Sequence, residues 1–435
     1  KDIHKIVTFK GCRAGPMSII EKNGDVRTNI TFPEYRLRGL SATCPTYTDI
    51  KIQIKNKNTN TDVSTDVSTF SEKIVRDCFL GRIPVMTGSK LDPNFKNGQF
   101  NHDIEMGYFI ISGVERILIN QRRHKPNTPI IYSNAANHWA VLCKSCDNKK
   151  GIKSTSIKWA PGSTLQVIWP MLAESIDIGS LFRVLRHNHS LDGDIVSLFK
   201  IEDLGNDIRP REAFAASVAI ENVKAVLLNY LLPHTSNKGH YLEMMIIDLY
   251  EGYRTNKTTD RDSLFNQMVE DPYALLTGLY RHLLVKFVKS VRKFMYRSPK
   301  TPVEKLITKN STIWDGIRYA MGTGMFSMVY DNSTVFTGVS QILNRVSREV
   351  YISQMRQVST QIEKTTKAEK IRHLNPSHFG RFCAYMTPEG QSCGLERQLT
   401  VAARISIHVD SKIILDVVKN MLCGGNEWII INGHI

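Results

Sequence analysis

IRHLNPSHFGRFCAYMTPEGQSCGLERQL, residues 371–399, is the stretch on which the reading of this chain turns. Pro376, Gly380, Pro388, Gly390 and Gly394 stand there among basic, aromatic and sulfur-bearing side chains. Proline fixes φ and glycine frees it, so a stretch rich in both is built for shape rather than for a long helix or strand. Thr387-Pro388-Glu389-Gly390 reads as a structural turn, with Glu389 expected to anchor nearby amides or an arginine. His373, His378, Cys383 and Cys393 have the residue types of a zinc set, but their spacing fits no compact knuckle, and structural roles are expected.

Working outward, residues 361–370 are polar and carry Lys364, Lys367 and Lys370, and are expected to form an exposed, mobile basic loop leading into the island. Before it lies VSQILNRVSREVYISQMRQVST, residues 339–360. Its spacing predicts a helix that buries Ile342, Val346, Val350 and Met355 and points Gln341, Arg345, Arg348 and Arg356 outward. Arginine and amide side chains in one patch can reach phosphates and base edges. The candidate nucleic-acid-binding set is therefore Gln341, Arg345, Arg348, Arg356, Lys364, Lys367, Lys370 and Arg372. Residues 316–323 read as a turn-rich linker ahead of this region.

Residues 241–297 are the most helical part of the chain. In 281–295 the apolar residues Leu284, Phe287, Val288, Val291, Phe294 and Met295 share one face, with Arg281, Lys286, Lys289, Arg292 and Lys293 mainly on the other. That basic face can border a nucleic-acid channel or be plain solvated surface. Asp260-Arg261-Asp262 can be a divalent-metal pair or a turn held by its own side chains, and the lack of a third carboxylate nearby favours the turn. A second helix is expected over 212–232, ended by Pro233. Helices are also expected over 176–199, with turns around Asn188 and Gly193.

The first 180 residues are strand-like. Residues 49–55 alternate as a half-buried strand should. Residues 74–86 read as a buried strand, a turn at Gly81 and a second run, and 107–121 as strand, Ser-Gly turn, strand. Arg122, Arg123, His124 and Lys125 follow as a basic knot that can touch phosphate or be solvated. The DVST echo at 62–65 and 66–69 is a loop insertion. Trp159 and Trp169 flank a Pro161-Gly162 turn. Cys143 and Cys146 form one CxxC, but no second ligand pair follows at zinc spacing.

The chain has 435 residues, enough for several structural units, with 42% hydrophobic and 23% charged residues, which is globular composition. Its formal net charge of +16 favours a polyanionic partner. The eight cysteines show no paired framework, so reduced thiols and an intracellular setting are expected. No apolar run reaches membrane-helix length. The first residue is Lys1, and the terminal EWIIINGHI reads as a strand in progress, so a piece of a longer protein is expected.

The motif NPSHFGRFCAYMTPEGQSCGL resembles the H-P/N-T/S-H-aromatic-G-R/L-x-C-P-x-E-T-P-E-G-x-x-x-G-L motif of the second-largest, β-type subunit of multisubunit DNA-dependent RNA polymerases. The resemblance runs upstream in the family's order, through FPEYRLRGLSATCPTYTDI, FLGRIPVMTGS, GYFIISGVERILINQRR, LLPH at 231–234 and DRDS at 260–263, and NGHI at 432–435 is similar to the start of a family strand. The chain departs from the family pattern at Met386, where Glu is usual, at Ala384, where Pro is usual, and at residues 266–269, where a basic run is usual. These departures imply a divergent lineage, such as that of a large DNA virus or plasmid.

The resemblance implies an α+β, multidomain N-terminal portion of that subunit. Residues 1–120 and 235–315 would form a protrusion-like unit, 121–234 a lobe-like insertion and 316–405 a fork-like region, and 406–435 would open the next domain. It implies partners: the largest subunit, the remainder of the β-type subunit, template DNA and RNA–DNA hybrid, and no membrane. It also implies that no catalytic, cofactor or metal-binding residue lies in this chain, magnesium being held by the largest subunit, so that the chain alone is inactive. A stand-alone basic nucleic-acid-binding or scaffold protein is the alternative, and a metal-dependent transferase using Asp260 and Asp262 a third reading.

Overall fold

The computed structural model describes residues 3–21, 23–28, 30–56, 70–93, 106–134, 136–147, 151–160, 162–168, 175–185, 231–298, 301–327, 335–367 and 369–406, with positions 414, 417 and 418. The DVST echo, Trp169, Asn188, Gly193, most of the 212–232 helix and the terminal EWIIINGHI lie outside them. The chain divides into two compact units, one of Lys1–Gln121, Glu270–Met328 and Thr334–Gln361, the other of Arg122–Val269, Val329–Ser333 and Ile362–Ile435. Both combine antiparallel strands with helices, the α+β multidomain class expected from the sequence.

In the first unit the strands Ile3–Ala14, Thr43–Asn56 and Phe70–Pro84 form an antiparallel sheet with Thr43–Asn56 central. The expected alternation holds there: Ile50 and Ile52 are buried, while Lys51 and Gln53 are half-buried. Gly81 makes no turn. It continues the strand opposite Thr46, whose hydroxyl donates to its carbonyl at 2.9 Å. A Cβ at Gly81 would lie 3.3 Å from Ile313 Cβ, so the glycine serves a close approach from a helix. The strand takes up its irregularity as register shifts, with Asp77 at φ +52. Ile74, expected inside, is 56% exposed.

Three helices accompany this sheet: Pro272–Arg297, Val303–Thr308 and Thr312–Thr323. Asp271 caps the first by accepting from Ala274 N at 2.9 Å, with Pro at the first position. Leu275, Leu279, Leu283, Phe287 and Val291 are its buried stripe, and Phe287 meets Phe9 edge-on at 6.4 Å. Of the face expected from 281–295, Phe287 and Val291 are buried, but Val288 and Phe294 are exposed. Apolar residues occur nearly all round this helix, so the position of its neighbours decides which ridge is covered.

One such neighbour is Thr312–Thr323, a helix where a linker was expected at 316–323. Ile313, Ile317, Ala320 and Met321 are buried along it, and Gly324 closes it at φ +77, its N–H donating to Ala320 O at 2.8 Å. A Cβ on Gly316 would lie 2.2 Å from Leu283 Cδ2. That glycine marks helix–helix contact rather than a turn, and packing overrides its poor propensity.

The single helix expected over 339–360 is instead strand Ser340–Ile342, helix Arg348–Met355 and strand Gln357–Thr360. Ile342 and Val346 are 63% and 84% exposed; Val339, Leu343, Tyr351 and Val358 are buried in their place. Two local devices set this. Gln341 pairs with Ile117 in the strand Val114–Leu118, and Ser347 starts the helix late by accepting from Val350 N at 3.3 Å. The partner strand belongs to the hairpin Phe109–Ile111 with Val114–Leu118, as expected. Its turn residues Ser112 and Gly113 have φ +50 and +77, as a two-residue primed turn requires. Phe32, Tyr35, Ile110, Ile117, Leu343 and Tyr351 share one core here.

The second unit holds a five-stranded antiparallel sheet in the order Ile176–Asp177, Gln166–Ile168, Gly151–Trp159, Trp139–Asp147, Pro129–Ser133. Of the helical stretch expected over 176–199, the described part is that short strand followed by the helix Ile178–Leu185. The helix Lys238–Thr255 buries Tyr241, Leu242, Met245, Ile246 and Leu249 in the same core as Trp139, Val141, Ile157 and Trp159. Cys143 sits in that core, its thiol pushed up to about 11 by burial, which makes it a poor thiolate ligand. Cys143 and Cys146 are both free thiols. Lys238 is buried, and its ammonium donates to the carbonyls of Leu231, Leu232 and Thr235 at 2.6, 2.9 and 3.3 Å. No helix among the described residues is long and apolar enough to cross a membrane.

Candidate nucleic-acid interface

The expected binding set falls into both units. In the first, Gln341 lies in the edge strand Ser340–Ile342, half-buried, with its amide 3.4 Å from Gly338 O. Arg345 is pinned: its guanidinium donates to the Glu115 carboxylate at 2.5 and 3.2 Å and lies 5.2 Å over the Tyr108 ring. Arg36 reaches the same carboxylate at 3.3 Å. These groups wall a cleft of about 170 Å³ beside the helix Phe32–Leu37. Arg348 is exposed at the start of its helix, and Arg356 is half-buried at its C-cap.

In the second unit the island 371–399 is a run of short turns. Asn375 caps the turn Pro376–His378, accepting from Ser377 N at 3.0 Å. Its amide donates to Asp260 Oδ2 at 2.7 Å, and Asp260 Oδ1 accepts from Asp262 N at 2.9 Å. The Asn375 bond leads the causes that hold the Asp260 carboxyl below its usual range. Asp260 therefore anchors a turn and ties it to the island, as the turn reading has it. Among the described residues no group of three or more His, Cys, Asp or Glu is placed to hold a metal ion.

His378 is buried, edge-on to Phe382 at 5.5 Å, with Nε2 3.5 Å from Arg122 Nη1. Burial first, then Arg122 and Arg397, press its pKa down to about 4. The basic knot at 122–125 thus begins with a buried arginine rather than an exposed one. Burial also lowers the Arg122 guanidinium to about 10.

The TPEG turn takes its bonds from Thr387, which donates to Glu396 O at 2.9 Å and accepts from Gly394 N at 2.8 Å. Glu389 stands exposed at the cap of the short turn Gly390–Ser392, without a side-chain cap bond; Pro388 and Gly390 are exposed beside it. Gly394, at φ +75, is where only glycine fits: a Cβ would lie 2.4 Å from Arg372 O.

The loop before the island is exposed at Lys364, Lys367 and Lys370. Lys364 pairs with Glu396 at 3.1 Å, a surface pair worth at most about 1 kcal/mol. Arg372 is half-buried, and its guanidinium donates to four carbonyls, those of Gln391, Cys393, Lys364 and Thr366. The sequence reading missed Arg397, which is buried and donates to Arg372 O and His373 O at 2.7 and 3.1 Å. The signal was present: in the strand Glu396–Gln398, two-residue alternation puts position 397 on the face of the buried Leu395.

Two family models match the chain. The model described as RNA polymerase beta subunit matches residues 7–314, and that described as RNA polymerase Rpb2, domain 3, matches 341–405. Among curated relatives, DNA-directed RNA polymerase II subunit RPB2 of Meyerozyma guilliermondii is 27% identical over 461 residues, covering 91% of this chain and 37% of that protein. DNA-directed RNA polymerase II subunit 2 of Arabidopsis thaliana is 26% identical, covering 96% of this chain and 39% of that protein. DNA-directed RNA polymerase subunit Rpo2N of Methanocaldococcus jannaschii is 24% identical, covering 94% of this chain and 87% of the relative. The chain thus spans less than two fifths of the two subunit 2 relatives and most of the Rpo2N one. The match of 7–314 alone covers more than half of the sequence: the chain belongs to the RNA polymerase beta subunit family, matching its N-terminal portion.

Proposed function

We propose that this chain serves as the N-terminal part of the β-type subunit of an intracellular DNA-dependent RNA polymerase, where it holds template DNA and RNA–DNA hybrid and shapes the active centre. The observation that carries this is the match of residues 341–405 to a polymerase domain model. That span contains every residue of the expected binding set, and Lys364, Lys367 and Lys370 are exposed within it. Protrusion-like (1–120 and 235–315), lobe-like (121–234) and fork-like (316–405) units, with 406–435 opening the next domain, go with this reading.

The chain's own residues then bind and orient nucleic acid. Phosphoryl transfer needs metal-held charge at the reacting phosphates. In this proposal the largest subunit supplies that magnesium, and the remainder of the β-type subunit completes the centre. The test is co-expression with a largest-subunit-like chain and a chain carrying the rest of the β-type subunit. Expected are co-purification and magnesium-dependent, template-directed RNA synthesis by the assembly, with none from this chain alone. The net charge of +16 favours a second reading, a stand-alone nucleic-acid-binding protein. That reading wins if the chain purifies as a stable monomer, binds duplex DNA unaided and joins no polymerase subunit.

A further inference from the structure

Arg372 entered the binding set as a cation beside a basic loop, but its geometry describes a different task. Nη1 donates to Gln391 O at 2.6 Å and Cys393 O at 2.9 Å; Nη2 donates to Lys364 O at 2.9 Å and reaches Thr366 O at 3.4 Å. A guanidinium has five N–H donors in a fixed fork. With both terminal nitrogens turned onto carbonyls of its own chain, little of it remains for an outside phosphate. The carbonyls also come from two places. Lys364 and Thr366 belong to the basic loop, and Gln391 and Cys393 to the turn after Gly390.

The far side of Arg372 is fixed as well. Its carbonyl accepts from Arg397 Nη2 at 2.7 Å, and Arg397 is 97% buried, being 3% exposed. Gly394 presses against the same carbonyl so closely that no side chain fits. The basic loop is thus tied through Arg372 to a rigid turn. A loop held in one conformation avoids the ordering cost that a free loop meets on binding.

We propose that Arg372, backed by Arg397, is the positioning residue of this interface: it bridges the basic loop to the turn after Gly390 so that Lys364, Lys367 and Lys370 meet nucleic-acid phosphates, and makes no phosphate contact itself. This rests on the reading that those lysines touch phosphate. The role needs the planar fork of arginine. A lysine at 372 keeps the charge but gathers its three donors on one nitrogen, and cannot reproduce the four carbonyl bonds that the two separate Nη atoms of Arg372 make.

The test uses the assembled polymerase and the salt dependence of its binding to a template duplex. Each phosphate contact contributes about 0.9 to the slope of log K against log salt. Changing Lys364, Lys367 and Lys370 together to Ala should flatten the slope by about 2.7. Arg372→Lys should flatten it by more than one contact's worth although no charge is lost. Hydrogen exchange in 362–367 should rise in that variant while 139–147 and 151–159 stay protected. In the triple-alanine background, Arg372→Ala should leave the slope where it is. A wild-type slope in Arg372→Lys, or a further loss of about 0.9 on adding Arg372→Ala to the triple variant, overturns the positioning role and makes Arg372 a contact. An unchanged slope in the triple-alanine variant overturns the phosphate reading instead, even if the exchange rise in Arg372→Lys shows the bridge to be real.

Discussion

Gly390 and Gly394 lie four residues apart in one turn, both with positive φ, and substituting each by Ala separates backbone strain from steric conflict. Gly390 has φ +77 and nothing within 4 Å of an added Cβ. Gly390→Ala should therefore cost only the left-handed conformation, about 1–2 kcal/mol. Gly394 has φ +75, so the same strain applies, but its Cβ would also lie 2.4, 2.6 and 2.9 Å from the O, Cα and C of Arg372. These are backbone atoms held by Arg397, so no rotamer change relieves them. Overpacking adds about 1–3 kcal/mol, and the displaced bond to a buried guanidinium adds about 1.5–3. Gly394→Ala should thus cost about 3.5–8 kcal/mol, at least ~2 more than Gly390→Ala. Hydrogen exchange at residues 393–399 reads this as local opening, since the energy of opening sets protection. A 2 kcal/mol gap is roughly a 30-fold difference between the variants. Equal protection in the two would refute the claim that the turn packs backbone to backbone on Arg372.

Further expectations concern other parts of the molecule. His378 is pressed from 6.5 to about 4, so between those values the unfolded chain binds a proton that the folded chain does not. Stability should fall as pH drops from about 6.5 towards 4, with no further loss from His378 below that; in His378→Gln the denaturation midpoint should lose this part of its pH dependence. Lys238→Met removes three donors from buried carbonyls and should destabilise the second unit by about 3 kcal/mol or more, read by urea unfolding of the Trp139 and Trp159 environment. Gly316→Ala sets a Cβ against the Leu283 side chain and should cost about 1–3 kcal/mol. Adding Leu283→Ala should cancel most of that, and simple additivity in the double-mutant cycle would argue against the contact.

Local chemistry made some elements legible in advance. The alternation of 49–55 and the Ser112-Gly113 hairpin turn need only neighbours in sequence: side chains alternate across a strand, and a primed turn asks for positive φ. The Asp260 turn was readable for the same reason, since an Asp side chain bonds its own backbone two residues on.

Glycines and scattered apolar residues carry no such local signature, because their roles depend on elements distant in sequence. Gly81 and Gly316 read as breaks, but each is small because another element, carrying Ile313 or Leu283, presses on it. Ile342 and Val346 read as core, but Leu343 and Tyr351 occupy it once Gln341 pairs with Ile117.

The order of motifs, the basic loop and the NPSHFGRFCAYMTPEGQSCGL stretch were enough, by themselves, to place this chain with the polymerase β-type subunits and to nominate its cations. What each cation does was left to the tertiary structure. In sequence Arg345, Lys367, Arg372 and Arg397 are equivalent positive charges. In the fold Arg345 is bound to Glu115, Lys367 stands in solvent, Arg372 bridges two loops and Arg397 is buried beneath it. Charge is a property of the residue, whereas desolvation and the partners within about 3 Å are properties of the packed chain.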